Sequence, residues 1–214
     1  MIKVERFVCN MLQENCYLLW DDTRECVIID CGAFYPEERK AIARFIADNR
    51  LQPMRIIGTH AHLDHQFGSG AMAAKYGLPV ECSPWDAPLM EGLDKQAKQL
   101  FNMNLDFPLP EKIKYYEEGT TIRFGNHQLE IMETPGHTPG SVTLYCREEG
   151  IAFTGDTLFK GSVGRTDFPG GNRFRMINSL RELSQLPDET KICTGHGETT
   201  TIGYELAHNP FMDR

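Results

Sequence analysis

The sequence has no long hydrophobic run, no excess of positive charge and no paired cysteines, and each absence closes off a class of function. No stretch approaches the roughly 18 uninterrupted apolar residues of a membrane span, so no membrane partner is expected. The opening MIKVERFVCNMLQENCYLLW mixes charges among its apolar residues and is read as mature protein rather than a signal peptide. Lysine and arginine number 22 against 30 acids, for a formal net charge of −8, and no basic run offers a face for a nucleic-acid backbone. Seven cysteines (Cys9, Cys16, Cys26, Cys31, Cys82, Cys146 and Cys193) stand singly, without a C-x-x-C pair. Zinc-ribbon and thioredoxin-type chemistry thus find no support, and free thiols in a reducing cytoplasm are expected. A Ser/Gly-rich linker and a solenoid repeat are also missing, so residues 1–214 are expected to form one domain.

What is present is short strands interleaved with helices. CYLLW and ECVIID, separated by DDTR, predict a hairpin. In PEERKAIARFIADN a leading proline, acids in the first turn and apolar residues at helical spacing predict a helix over Pro36–Asn49. MRIIGTH reads as a strand, QFGSGAMAAKYG as a helix ending at Gly77, and LPVEC as a short strand. From Pro84 to Pro110 the chain reads as helical, then proline-broken, with nothing resembling ligand chemistry; Trp85, Met90, Phe101 and Met103 are read as packing. A second β-rich block follows in KIKYYEEG, TTIRFG, HQLEIMETPG, SVTLYCREEG and IAFTGD. After it come a Gly-rich loop, a helix near Phe174–Leu186, the strand KICTGHG and a short tail. Two such blocks predict an α/β sandwich with helices outside two packed sheets.

The histidines are the least ordinary feature. GTHAHLDHQFGSG places His60, His62, Asp64 and His65 within six positions, directly after a predicted strand. Side chains two apart on extended chain point the same way, so His60 and His62 can face one spot. Asp64 and His65 can face a neighbouring one. His137 in TPGHTPGS, Asp156 in FTGDTLF and His196 in CTGHGETT each follow a strand and a glycine. Five of the seven histidines and two aspartates thus emerge from strand ends, the edge along which open sheets gather ligands. Imidazole and carboxylate donors without thiolates suit zinc, iron or manganese. His127 and His208 fit no motif and are read as surface residues.

THAHLDH resembles the H-x-H-x-D-H signature of the metallo-β-lactamase fold hydrolases, and His137, Asp156 and His196 match that family's later ligands in order. The resemblance covers essentially the whole chain. It implies a four-layer αββα sandwich with two central mixed sheets. It also implies two divalent metal ions, zinc ahead of iron or manganese. His60, His62 and His137 would hold one, Asp64, His65 and His196 the other, and Asp156 would bridge them. Asp30 in VIIDCG matches an aspartate that supports the ligands from behind. The Pro84–Pro110 segment would overhang the cleft and could bring Trp85, Met103 or Phe107 to substrate. Periplasmic β-lactamases of this fold are set aside, because they carry a signal peptide and typically use a cysteine where this chain has Asp156.

Within the family, FTGDTLFKGSVGRTDFPGG is similar to the glyoxalase II branch and its short single-domain bacterial members. That likeness implies hydrolysis of a small-molecule thioester by water activated between the metals, with Asp64 and Asp156 as the catalytic carboxylates. A thiolate leaves easily and asks little of a general acid. Arg165 matches a basic residue that helps bind the glutathione moiety; its spacing equally fits an ion pair with Asp167. The longer enzymes' C-terminal glutathione-binding region has no counterpart after ELAHNPFMDR, which leaves the thiol carrier open. GRTDF also resembles persulfide dioxygenases, which hold one iron and act on substrates such as glutathione persulfide. Acyl group and oligomeric state are not legible.

Overall fold

The computed structural model describes residues 1–117 and 119–213; Glu118, within the run read as a strand, and Arg214, the last residue of the tail, lie outside the described residues. The first sheet orders six strands in chain sequence: β1 (Lys3–Cys9), β2 (Glu14–Trp20), β3 (Glu25–Ile29), β4 (Gln52–Ile57), β5 (Val80–Cys82) and β6 (Ile113–Tyr115). The first three are antiparallel and β3 to β6 are parallel. The second sheet contains β7 (Thr121–Phe124), β8 (His127–Glu133), β9 (Val142–Cys146) and β10 (Ile151–Gly155). A ribbon of β11 (Leu158–Phe159) and β12 (Ser162–Val163) follows, before β13 (Lys191–Thr194) and β14 (Thr200–Thr201) complete that sheet in the order β14-β13-β10-β9-β8-β7. The helices are α1 (Pro36–Asp48), α2 (Ser69–Tyr76), α3 (Ala87–Met90), α4 (Leu93–Phe101), α5 (Arg173–Leu183) and α6 (Ile202–His208). Among the described residues no helix is long and apolar enough to cross a membrane.

Period-2 alternation builds the layers. Along β2 and β3, Tyr17, Leu19, Val27 and Ile29 face the second sheet, where they meet Phe124, Leu144 and Phe153. The intervening Cys16, Leu18, Cys26 and Ile28 face outward under Ile42 and Ile46 of α1 and Met72 of α2. Both sheet faces are buried, which is why these strands read as continuous apolar runs. Met176, Leu180 and Leu183 of α5 and Ile202 of α6 cover the second sheet. The result is the four-layer αββα sandwich. The seven cysteines are all free and buried, as small core residues.

Several elements differ from the sequence reading. The short tail contains a helix that was not read: α6 is capped by Thr201, whose side chain accepts from the Tyr204 amide, and buries Ile202 and Glu205. His208 is exposed as read, but His127 is not a surface residue. It is packed between Asp21 and Glu149, with Nδ1 3.1 Å from Asp21 Oδ2 and Nε2 3.1 Å from Glu149 Oε1. Its turn, FGNHQ, joins the two sheets at the end remote from the histidine cluster.

That join centres on Asp21, which accepts from the Thr23 amide and hydroxyl, the Asn126 amide and His127. Burial works against its carboxylate, but these donors outweigh it and lower the pKa from 3.8 to about 2. Gly125 sits at φ 51°, and a Cβ there would fall 2.3 Å from the Asp21 carboxylate. A depressed folded pKa stabilises above the unfolded value and loses that stabilisation as pH falls through the folded one. Relative to Asp21→Asn, the wild-type chain should therefore hold an advantage of about 2 kcal/mol at neutral pH. Denaturant titrations should show that advantage vanishing between about pH 4 and pH 2; a pH-independent difference would contradict it.

Candidate metal centre

β3 and β4 are parallel, and in the second sheet β8, β10 and β13 share one direction, so five C-terminal strand ends meet along one edge of the sandwich. Asp30 follows β3, the His60–His65 turn follows β4, and His137, Asp156 and His196 follow β8, β10 and β13. The Thr59 carbonyl accepts from the Val142 amide at 2.9 Å, which ties the two sheets together one residue before His60. The chain bends at Thr59 and His60, and His62, in extended conformation, is the N-cap of a short 3-10 turn over Leu63–His65. Across this bend and turn His60 and His62 join one group of donors, and Asp64 and His65 another. Gly195 leaves room at the last strand end, since a Cβ there would meet Asp156 Oδ1 at 2.2 Å.

The seven side chains converge in two groups. Ligand atoms of His60, His62 and His137 lie within 4.8 Å of one another, and so do those of Asp64, His65 and His196. Asp156 stands between the groups. Its Oδ2 is 3.5 Å from His137 Nε2 and 3.7 Å from His196 Nε2, and its Oδ1 is 3.2 Å from His65 Nε2. His62 Nδ1 is 2.8 Å from His137 Nε2, and His196 Nε2 is 3.3 Å from Asp64 Oδ2.

Partners behind the rings decide which nitrogen faces inward. His65 Nδ1 donates to Asp30 Oδ2 at 3.1 Å, His137 Nδ1 to the Arg165 carbonyl at 2.7 Å, and His196 Nδ1 to the Leu12 carbonyl at 3.0 Å. Thr59 spends its one hydroxyl hydrogen on Asp30 Oδ2 at 2.7 Å, so toward His60 Nδ1, 3.2 Å away, it can only accept. Four imidazoles are thereby fixed with a bare Nε2 toward the centre; His62 presents Nδ1 instead. Such outer hydrogen bonds orient metal-binding histidines and raise their basicity.

A cation fits this constellation. His60 Nε2, His65 Nε2 and Asp156 Oδ1 are buried and have no hydrogen-bond partner among the described residues. Three orphaned acceptors converging beside a second carboxylate are costly unless a positive charge satisfies them. The charge states agree. Burial pushes His60 down and His62 down to about 4, so both are neutral donors at neutral pH. Burial opposes charge on His65 too, but the Asp156 and Asp64 carboxylates outweigh it and raise its pKa. The second group thus attracts positive charge on account of its own carboxylates.

Asp30 lies beneath the two groups of donors: Oδ1 accepts from the Thr59 amide at 2.6 Å, and Oδ2 accepts from the Thr59 hydroxyl and His65. Arg165 lies at the cleft wall with its guanidinium doubly bonded to Asp167, both contacts 2.7 Å, and 4.0 Å above the Phe168 ring. The pairing left open by the sequence is therefore formed.

The Pro84–Pro110 segment is more than cover. Asp86 is fully buried; Oδ2 accepts from the Ala61 amide and the Thr138 hydroxyl, and Oδ1 from the Gly140 amide. It clamps the His60–His65 turn to the His137 loop. Gln96 accepts from the Leu63 amide and donates to the Ala61 carbonyl. Neither was legible, because both partners lie on distant chain and no short motif marks them. Asn10, which donates to the carbonyls of Gly32 and Asp64, and Glu14, buried 3.8 Å from His65 Nδ1, also escaped notice. Over the cleft stand Leu100 and Phe101. Met103 and Phe107 pack on the core instead, while Trp85 is 63% exposed and lines a separate groove, neither packed nor at the cleft.

The cleft has a volume of about 610 Å³ and is walled by Leu12, Leu100, Phe101, Phe159 and Phe168 above His62, Asp64, Asp156 and His196. No serine, threonine, cysteine or lysine lines it among the described residues.

Against known proteins, the sequence model of the metallo-beta-lactamase superfamily matches residues 9–196. Hydroxyacylglutathione hydrolase GloC of Haemophilus influenzae is 36% identical over 214 residues, covering 99% of each chain. The fold superposes on TTHA1623 in a di-iron-bound form with a TM-score of 0.85 at 37% identity, covering 97% of this chain and all of that one. BLEG-1 B3 metallo-beta-lactamase gives a TM-score of 0.86 at 30% identity, covering 98% of this chain and 99% of the other.

Removing the carboxylate behind His65 should be felt at the centre without touching it. Asp30→Ala strands the Thr59 amide and the His65 Nδ1–H, and should weaken metal binding about 10–100-fold in a competitive chelator titration. Retention of wild-type affinity would show that Asp30 does not orient the ligands.

Proposed function

The chain belongs to the metallo-beta-lactamase superfamily, and from that premise we propose that it is a cytoplasmic, metal-dependent thioester hydrolase of the hydroxyacylglutathione type, working with two divalent cations. The observation that carries the reading is the paired arrangement: two groups of three donors, with Asp156 between them. The family resemblance assigns His60, His62 and His137 to one cation, Asp64, His65 and His196 to the other, and Asp156 to both; the geometry supports that division. Zinc is the first choice for such donors, and the di-iron form of TTHA1623 gives iron comparable support.

When bound, such cations supply Lewis acidity toward a carbonyl oxygen and bring the pKa of water toward ~7. The chain's own residues do the rest. A cleft lining with no hydroxyl, thiol or amine side chain among the described residues leaves water as the nucleophile. Asp64 and Asp156, the two carboxylates in its lining, would hold down the net charge of the loaded site. The aromatic and leucine walls exclude bulk water and take the acyl group. Among the described residues no acidic side chain lines the cleft apart from these two carboxylates, which favours a thiolate leaving group.

Turnover of a glutathione thioester should fall about 100-fold or more on chelation and return with zinc, iron(II) or manganese. His62→Ala should lower both metal content by elemental analysis and rate. A panel that includes glutathione persulfide with an oxygen electrode, and a cephalosporin, is decisive. Undiminished metal-free turnover, oxygen uptake with the persulfide, or lactam cleavage in preference to thioester would each overturn the assignment.

A further inference from the structure

The metal cleft has a neighbour. Beyond the backbone of Gly164 and Arg165, which line both cavities, a groove of about 500 Å³ runs between α5 and residues 210–213. Its floor is apolar, formed by Met176, Leu180 and Met212 of the outer core, with Phe211 half exposed at the rim. Among the described residues its charged lining is Arg165, Arg173 and Arg181 against the single acid Asp213. In a chain of net charge −8, that local balance is reversed.

The arginines differ in how their charge is used. Arg165 is committed to Asp167. The guanidinium groups of Arg173 and Arg181 have no hydrogen bond or ion pair among the described residues. They stand eight residues apart on α5, with Ile177 midway, so one helix face carries two free cations about 12 Å apart over an apolar strip. Guanidinium groups beside a partly desolvated surface favour carboxylate or phosphate, which they bind in bidentate fashion.

We propose that this groove is the subsite for the thiol carrier: a polyanionic thiol whose sulfur end reaches the metal cleft past Gly164 and whose anionic end lies along Arg173 and Arg181. The link to catalysis rests on the thioester reading; the binding of a polyanionic thiol derivative does not. Carboxylates of a peptide thiol and phosphates of a nucleotide thiol share this chemistry, and the two are separated by the probes.

The metal-loaded protein is titrated calorimetrically with two inert thioethers, S-methylglutathione and S-methyl-coenzyme A. At least one should bind, more weakly as salt rises, and its affinity should fall about 10-fold or more in Arg173→Glu/Arg181→Glu. With that carrier's thioester, KM should rise by a similar factor at unchanged kcat, while the uncharged N-acetylcysteamine thioester is turned over as by the wild type. Should charge reversal compromise folding, Arg173→Gln/Arg181→Gln carries the same comparison. Failure of both thioethers to bind the wild type, equal binding by the variants, or equal loss on charged and uncharged substrates would overturn the subsite. Charge-dependent thioether binding by a protein that hydrolyses no thioester would keep the subsite and defeat the thioesterase.

Discussion

A single buried carboxylate sets the geometry of the whole edge. Asp30 leaves β3 with φ at 51°, a backbone conformation that costs an L-residue roughly 1 kcal/mol, and it is held there by three donors. Its two oxygens take the Thr59 amide, the Thr59 hydroxyl and His65 Nδ1–H. Through the hydroxyl it also dictates the tautomer of His60, which it does not touch. One residue just past β3 therefore aims one ring in each group of donors. Thr59 extends the same control across the sandwich, because its carbonyl is bound by Val142 of the other sheet.

The remaining rings are aimed mostly by backbone: the carbonyls of Arg165 and Leu12 hold His137 and His196. Main-chain acceptors fixed by sheets and tight turns lose little freedom when a ligand binds, so the donors are arranged before any cation arrives. Asp86 and Gln96 brace the histidine turn from the opposite side and occupy amides and carbonyls that the irregular path from His60 to Leu63 leaves without ladder partners. The segment from Pro84 onward is thus part of the frame.

How much of this was legible follows from the range of each interaction. The helix over Pro36–Asp48 and the end of α2 at Gly77, φ 68°, were readable because a first-turn proline and a left-handed glycine act locally. The seven donors were readable because they crowd a short motif or follow glycine at a strand end. Asp86 was not, since its three partners lie 25 to 54 residues away and a lone aspartate carries no mark of burial. His127 was misread for a related reason: FGNHQ has the composition of an exposed turn, but a residue 106 positions earlier closes over it. The overhanging residues were misassigned because nothing in the sequence marks which end of α4 meets the cleft, where Leu100 and Phe101 stand.

The contact between His196 and Leu12 has a consequence for how such a protein can diversify. Leu12 sits at the tip of the β1–β2 turn, 47% exposed and on the cleft wall, while its carbonyl steadies the His196 ring. Lengthening or reshaping that turn to suit a different occupant of the cleft would disturb the imidazole in the same stroke. The end of α4 carries no such double duty at Leu100. Evolvability is therefore lopsided: new selectivities are cheapest to acquire on the helical rim, and the hairpin opposite is tied to the orientation of His196.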